Sequence, residues 1–289
     1  MNDVLFGLNL STAAGPGSDV VADAQRAERL GYDFVSANDH PNGANPTHEL
    51  WTLLAHVAAR TSRIKVASRV VGVPYRNPAM LAKMAATLAE LSAGRPILGL
   101  GGGSSHEGMI AFGIEPLSPR AKMDGLEDAL RIVRGLWTQS PFTYEGALHS
   151  VFDAHVEPKP GEPIPIWLGT FGPRGLALAG RLADGWIPSL GMAPPDRARA
   201  MRERVFDAAR KAGRDPREIS CIYNLQISVG EPEPDPSIVS GPPQHVIERL
   251  LDFVELGFTG FNLVPTGPEA DAQPERLARE VLPLVRSGR

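Results

Sequence analysis

The segment Ala37-Asn38-Asp39-His40-Pro41 places a carboxylate and an imidazole side by side just after a short apolar run. That pair can do acid–base chemistry near neutrality, because histidine titrates at about pH 6.5 when unperturbed. The same residues also suit an ordinary turn, with Asn38 or Asp39 bonding the local backbone and His40 facing solvent. A second candidate is Gly101-Gly102-Gly103-Ser104-Ser105-His106. Without Cβ atoms this run lets a ligand approach the main chain closely, or forms a flexible loop. Its spacing, with Ser104 where a third glycine is required, is not the dinucleotide fingerprint, and the first strand lacks such a turn. A third is Gly169-Thr170-Phe171-Gly172-Pro173-Arg174-Gly175, where Pro173 suits a first helical turn. The amides of Gly172, Arg174 and Gly175, the positive helix end and the Arg174 guanidinium would make an anion site fit for phosphate. A plain strand–helix turn is the alternative.

Other chemistries find little support. The histidines, among them His48, His56, His106 and His245, show no metal-ligand spacing, so a metal-dependent hydrolase is disfavoured. No Gly-x-Ser-x-Gly elbow precedes a helix. Cys221 lies within an apolar run and reads as a small buried residue. Trp51, Trp137, Trp167 and Trp186 fall in periodic elements and read as core.

The elements that must position these residues follow from periodicity. Short apolar runs at 4–10, 34–36, 64–68, 97–101, 166–169, 185–188, 220–228 and 260–264 alternate with amphipathic stretches of helical length. Met123, Leu126, Leu130, Val133 and Trp137 mark the clearest helical stripe. Most strand runs are continuously apolar, as expected of strands covered on both faces. Strict βα alternation with eight strands predicts an α/β fold, a (β/α)8 TIM barrel forming one domain over 1–289; a doubly wound open sheet is the alternative. Two long connections, 102–121 and 139–165, read as insertion loops at the barrel's working face, and the Pro-rich 231–243 reads as a further loop. In such a barrel the chemistry lies at the C-terminal ends of the strands, where all three candidate segments fall.

Composition narrows the partners. The 289 residues are 43% hydrophobic and 21% charged, and carry a formal net charge of −4. No basic excess or stripe points to nucleic acid. No apolar stretch approaches the roughly 20 residues needed to span a bilayer, and the start Met1-Asn2-Asp3 is unlike a signal peptide. With one cysteine, no intrachain disulfide is possible. A cytoplasmic protein with a small-molecule substrate is the expectation.

Taken in order, several stretches resemble the luciferase-like monooxygenase superfamily of flavin and deazaflavin barrels. They are Ala27-Glu28-Arg29-Leu30-Gly31-Tyr32-Asp33 with Asp39-His40, Arg76-Asn77-Pro78 through Leu91-Ser92-Ala93-Gly94-Arg95, and Leu98-Gly99-Leu100-Gly101-Gly102-Gly103. Arg120 with Met123-Asp124-Gly125 through Leu136-Trp137, Pro163-Ile164-Pro165-Ile166-Trp167-Leu168-Gly169 and Ala183-Asp184-Gly185-Trp186 continue the likeness over nearly the whole chain. Asp39-His40 resembles the coenzyme F420-dependent branch. The resemblance implies an oxidoreductase passing a hydride between a deazaflavin and a small organic substrate. Asp39 would contact the ring and His40 would be the catalytic proton donor or acceptor. Ser68-Arg69 matches a bulge with a non-proline cis peptide behind the ring, and Val71 would touch the ring. Gly102 and Gly103 would follow the ribityl chain, Ser104 would also bind the cofactor, and Gly172, Arg174 and Gly175 would hold the phosphate. Sugar-phosphate-oxidising members carry a glutamate just after the glycine run; here Ser104 stands there, with Glu107 three residues on. A homodimer is the family habit. The alternatives are a reduced-FMN monooxygenase on the same barrel, and a non-catalytic flavin- or deazaflavin-binding barrel.

Overall fold

The computed structural model describes residues 4–103 and 106–288. Ser104, one of the residues expected at the site, lies outside them. The strands are β1 (Leu5–Asn9), β2 (Phe34–Ala37), β3 (Lys65–Ser68), β4 (Val71–Gly72), β5 (Pro96–Gly101) and β6 (Phe142–Glu145). They continue as β7 (Ser150–Ala154), β8 (Ile166–Leu168), β9 (Gly185–Trp186), β10 (Ser220–Val229), β11 (Ile238–Gly241) and β12 (Gly260–Pro265). Eight of them, β1, β2, β3, β5, β8, β9, β10 and β12, pair in parallel in that order. β12 then pairs with β1 from Leu5↔Gly260 to Leu8↔Leu263, which closes the ring into the expected (β/α)8 barrel rather than an open sheet.

Around the ring run α1 (Val20–Arg29), α2 (Leu50–Arg60), α3 (Pro78–Leu91), α4 (His106–Ala111) and α5 (Pro119–Thr138). They are followed by α6 (Pro173–Leu182), α7 (Pro195–Lys211), α8 (Pro243–Glu255), α9 (Gln273–Glu280) and α10 (Leu282–Ser287). Local chemistry sets their starts. Asp19 caps α1 by accepting from Ala22 N at 2.9 Å, Asn77 caps α3 by accepting from Ala79 N at 2.9 Å, and Pro78 occupies a first-turn position. No described helix is long and apolar enough to cross a membrane.

Burial divides the core in two. The larger part packs helices onto the outside of the barrel. The smaller fills the lumen with Phe34, Ala67, Ile97, Trp167, Ile187 and Ile222. Phe34 meets Trp167 edge-on, centroids 5.3 Å apart. Glycine at position 7 makes this possible, since a Cβ there would stand 2.0 Å from the Phe34 ring. All four tryptophans and Cys221 are buried, and burial pushes the Cys221 thiol up to about 12.

The long connections carry more structure than loops. Within 102–121 lie α4 and the first turn of α5, and within 139–165 lies the antiparallel hairpin β6–β7. Asp128 on α5 staples that hairpin, accepting from Leu148 N at 2.7 Å, His149 N at 3.0 Å and Tyr144 Oη at 3.0 Å. Burial raises the Asp128 carboxyl, but these donors outweigh it and hold it below the usual range. The Pro-rich 231–243 includes β11, which adds to β10.

Candidate active site

Strand ends meet at the C-terminal mouth of the barrel around a cavity of about 380 Å³. Asp39, His40, Arg69, Gly102 and Gly103 all line it, so the structure brings five of the expected residues into one space. Val70, Gly72, Tyr75, Gly101, Gly169 and Phe171 complete the side near β4, β5 and β8, and Ile187, Ser189, Met192 and Asn224 the side near β9 and β10.

Asp39 is buried, 7% exposed, and fully engaged. It accepts from Gly72 N at 2.9 Å and from two nitrogens of Arg76 at 2.7 and 3.0 Å. Arg76 also pairs with Glu49, the residue that caps α2 by accepting from Trp51 N at 3.0 Å and Thr52 N at 2.7 Å. One guanidinium therefore ties the start of α2 to the end of β2, and it stands just ahead of the α3 cap. Burial pulls Arg76 down, yet its two carboxylates outweigh that and hold it above its ordinary value. Burial likewise raises Glu49, and the Thr52 and Trp51 amides with Arg76 bring it down to about 2. His40, next along the chain, is exposed on the cavity wall.

Opposite, the β3–β5 ladder carries an irregularity. Ala67 pairs with Ile97 but Val71 pairs with Leu100, so one extra residue sits on the β3–β4 side. Such a bulge re-aims side chains, and here Arg69 and Val70 reach the cavity. The Arg69–Val70 peptide is cis, in the segment where the resemblance implies such a bond. Ser68 is turned away, its hydroxyl bonded to Gly99 O at 2.9 Å and Gly99 N at 2.8 Å. Val71 is buried in the pairing with Leu100 and is absent from the cavity lining.

The glycine run forms the neighbouring wall. Gly103 has φ +80°, and a Cβ there would stand 2.7 Å from Met109 Cε and 3.0 Å from Pro74 Cδ. Lys122 on α5 donates to Gly103 O at 3.0 Å and fixes the turn.

The phosphate candidates gather elsewhere. Gly172 is the N-cap of α6 and lines a separate depression with Arg197 and Arg204, sharing Phe171 with the main cavity. Arg174 donates to Asp124 Oδ1 at 2.5 Å and stands 3.7 Å from Glu127, so its charge is already partnered. Gly175 is buried against the Thr170 side chain.

Sequence reasoning missed the polar row across the lumen. Ser36 Oγ donates to Asn262 Oδ1 at 2.7 Å, with Asn9 Oδ1 3.3 Å away. Asn262 Nδ2 donates to Asn224 Oδ1 at 2.7 Å, and Asn224 Nδ2 to Ser189 Oγ at 2.9 Å. The available signal was an asparagine interrupting each of three apolar runs. Arg76 was visible only as part of a family-like stretch.

A second cavity, of about 360 Å³, lies between β1 and the α1 and α9 side. Its cation Arg26 is already paired with Glu275, and it lies away from the glycine wall.

An eight-stranded barrel with acid–base residues, a glycine wall and a ligand-sized cavity at its C-terminal mouth defines a barrel enzyme site. A family model for luciferase-like monooxygenases matches residues 5–235, and the chain belongs to that family. The F420-dependent glucose-6-phosphate dehydrogenase of Microbacterium testaceum is 26% identical over 97% of this chain and 97% of its own. The enzyme of that name from Kineococcus radiotolerans is 31% identical over 91% of each. Among solved structures, an F420-dependent secondary alcohol dehydrogenase superposes with a TM-score of 0.87 at 20% identity, covering 98% of this chain and 99% of that one.

Proposed function

We propose that this chain is a coenzyme F420-dependent oxidoreductase that transfers a hydride between a deazaflavin and a small organic substrate, with His40 as proton donor or acceptor. The observation that carries the reading is the junction of Asp39-His40 with the glycine wall in one cavity at the barrel mouth. The residues suit a flat ring. The cavity volume falls in the range of small-ligand sites, roughly 300–1,000 Å³. Gly101, Gly102, Gly103 and Gly169 offer main chain without side chains, and any methyl added at Gly103 would meet Met109. The F420-dependent dehydrogenases to which the chain is similar support the same choice.

A bound deazaflavin supplies the hydride chemistry, and the barrel supplies position and charge. Asp39, held by Gly72 N and Arg76, presents a fixed polar edge to the ring. Arg69 lies on the opposite wall, with Ser68 and Val71 behind the bulge. Gly102 and Gly103 would follow the chain of the cofactor. The Gly172 and Gly175 amides at the start of α6 would hold its phosphate, while the Arg174 charge is taken up by Asp124 and Glu127. His40, exposed on the wall, exchanges a proton with the substrate oxygen. Under this reading the enzyme is a cytoplasmic homodimer with a small-molecule substrate and no nucleic-acid or membrane partner.

Titration of the purified protein with F420 and with FMN, each oxidised and reduced, tests the cofactor. Tight F420 and weak FMN binding is expected. The reverse preference would replace the reading with a reduced-FMN monooxygenase, and binding without turnover of any substrate would favour a non-catalytic barrel.

A further inference from the structure

Two arginines seven positions apart reach the barrel mouth in unlike company. Arg76 faces the carboxylates of Asp39 and Glu49. Arg69 has no carboxylate at ion-pair distance among the described residues. Its Nε donates to Asn9 Oδ1 at 2.9 Å and its Nη2 to Asn38 Oδ1, both neutral amide oxygens. These two bonds hold one edge of the planar group. Nη1 and one hydrogen of Nη2 meet no acceptor among the described residues, and Arg69 lines the cavity. Burial pushes its guanidinium down to about 10, which leaves it a cation throughout the neutral range.

A desolvated cation without a counter-charge is costly to keep, and amide oxygens lower that cost without neutralising it. Removing water from a guanidinium while fixing its orientation strengthens whatever anion it later meets. The remaining edge presents one N–H from each terminal nitrogen in parallel, the geometry that two oxygens of a carboxylate or phosphate accept. Beside it the floor residue Asn224 and the exposed His40 share the same cavity, so a group bound to Arg69 places the rest of a small molecule within the site.

We infer that Arg69 is the specificity-determining residue of this enzyme, binding an oxyanion of the substrate, so that its substrates are small anions bearing a carboxylate or a phosphate. The inference rests on the reading of this cavity as the substrate and cofactor site.

Isothermal titration of the full-length protein, wild type beside Arg69→Lys and Arg69→Met, reads the preference directly. The probes are two matched pairs, pyruvate with pyruvamide and glucose 6-phosphate with glucose, each titrated without and with F420. The wild type is expected to bind the anion of one pair about tenfold or more tightly than its neutral partner. Arg69→Met should erase that preference and Arg69→Lys should retain part of it; the pair that discriminates identifies carboxylate or phosphate. Equal binding of anion and neutral partner by the wild type in both pairs overturns the inference, whatever the variants do. A preference that survives in a folded Arg69→Met overturns it too, as does an Arg69→Met whose only defect is weaker F420 binding. F420 is titrated separately into the wild type, so failure of the cofactor reading registers independently of the anion result.

Discussion

The lower and upper halves of the barrel lumen are built from the same strands and are opposite in chemistry. Phe34, Ile97, Trp167 and Ile222 plug the lower half with apolar side chains. Two residues farther along the same strands stand Ser36 and Asn224, and above Gly7 and Gly260 stand Asn9 and Asn262, which form the hydrogen-bonded floor. Residues i and i+2 of a strand share a face, so one step along each strand turns a sealed plug into a polar platform. The plug supplies rigidity and the platform spends it, holding groups such as Arg69 where a ligand can meet them.

Breaking the upper half at its chemistry should give the largest effect. His40→Ala is expected to lower turnover roughly a hundred- to ten-thousand-fold while leaving F420 affinity and melting temperature near wild type. Steady-state kinetics beside a cofactor titration checks this, and undiminished turnover would move the proton transfer to another group. Breaking the lower half should cost stability instead. Trp167→Ala, opening a cavity against Phe34, is expected to destabilise the fold by about 3–5 kcal/mol, read by denaturant unfolding. If the loss appeared in cofactor binding at unchanged stability, the division between the halves would not hold.

A smaller change probes the floor. Asn262→Leu removes partners from Ser36 and Asn224 at once and is expected to cost about 1–3 kcal/mol, with weaker ligand binding than its stability loss explains. The smallest effect concerns the clamp at the cavity edge. Glu49 has a folded pKa of about 2, below its ordinary 4.5, so it contributes stability that is fully present above pH 4.5 and is lost as pH falls towards 2. Glu49→Gln should flatten that part of the acid limb of melting temperature against pH and leave the profile above pH 5 parallel to wild type.

Much of the frame was legible before any coordinates. Each barrel strand coincides with an apolar run, because strands buried on both faces read as such. Asp39, His40, Gly102 and Gly103 fell at strand ends, and in a barrel those ends converge. The insertions were less legible. β6 has an alternating, half-exposed pattern over only four residues, and its hairpin is held by Asp128 from a distant helix, which no local window contains. The anion site read at Gly172–Gly175 took Arg174 as free, whereas the fold sets Asp124 and Glu127 of α5 beside it.

The sequence by itself determined the βα alternation and the acid–base pair after the second strand, since both depend on near neighbours. Tertiary structure alone decided which strand residues face inward and which charges are paired. Asn9 and Arg69 lie 60 positions apart and meet only when β1, β2 and β3 assemble side by side. The same assembly gives Arg76 two carboxylates and gives Arg69 two amide oxygens. Local sequence cannot express that difference, because the partners of a charge are set by the path of the whole chain.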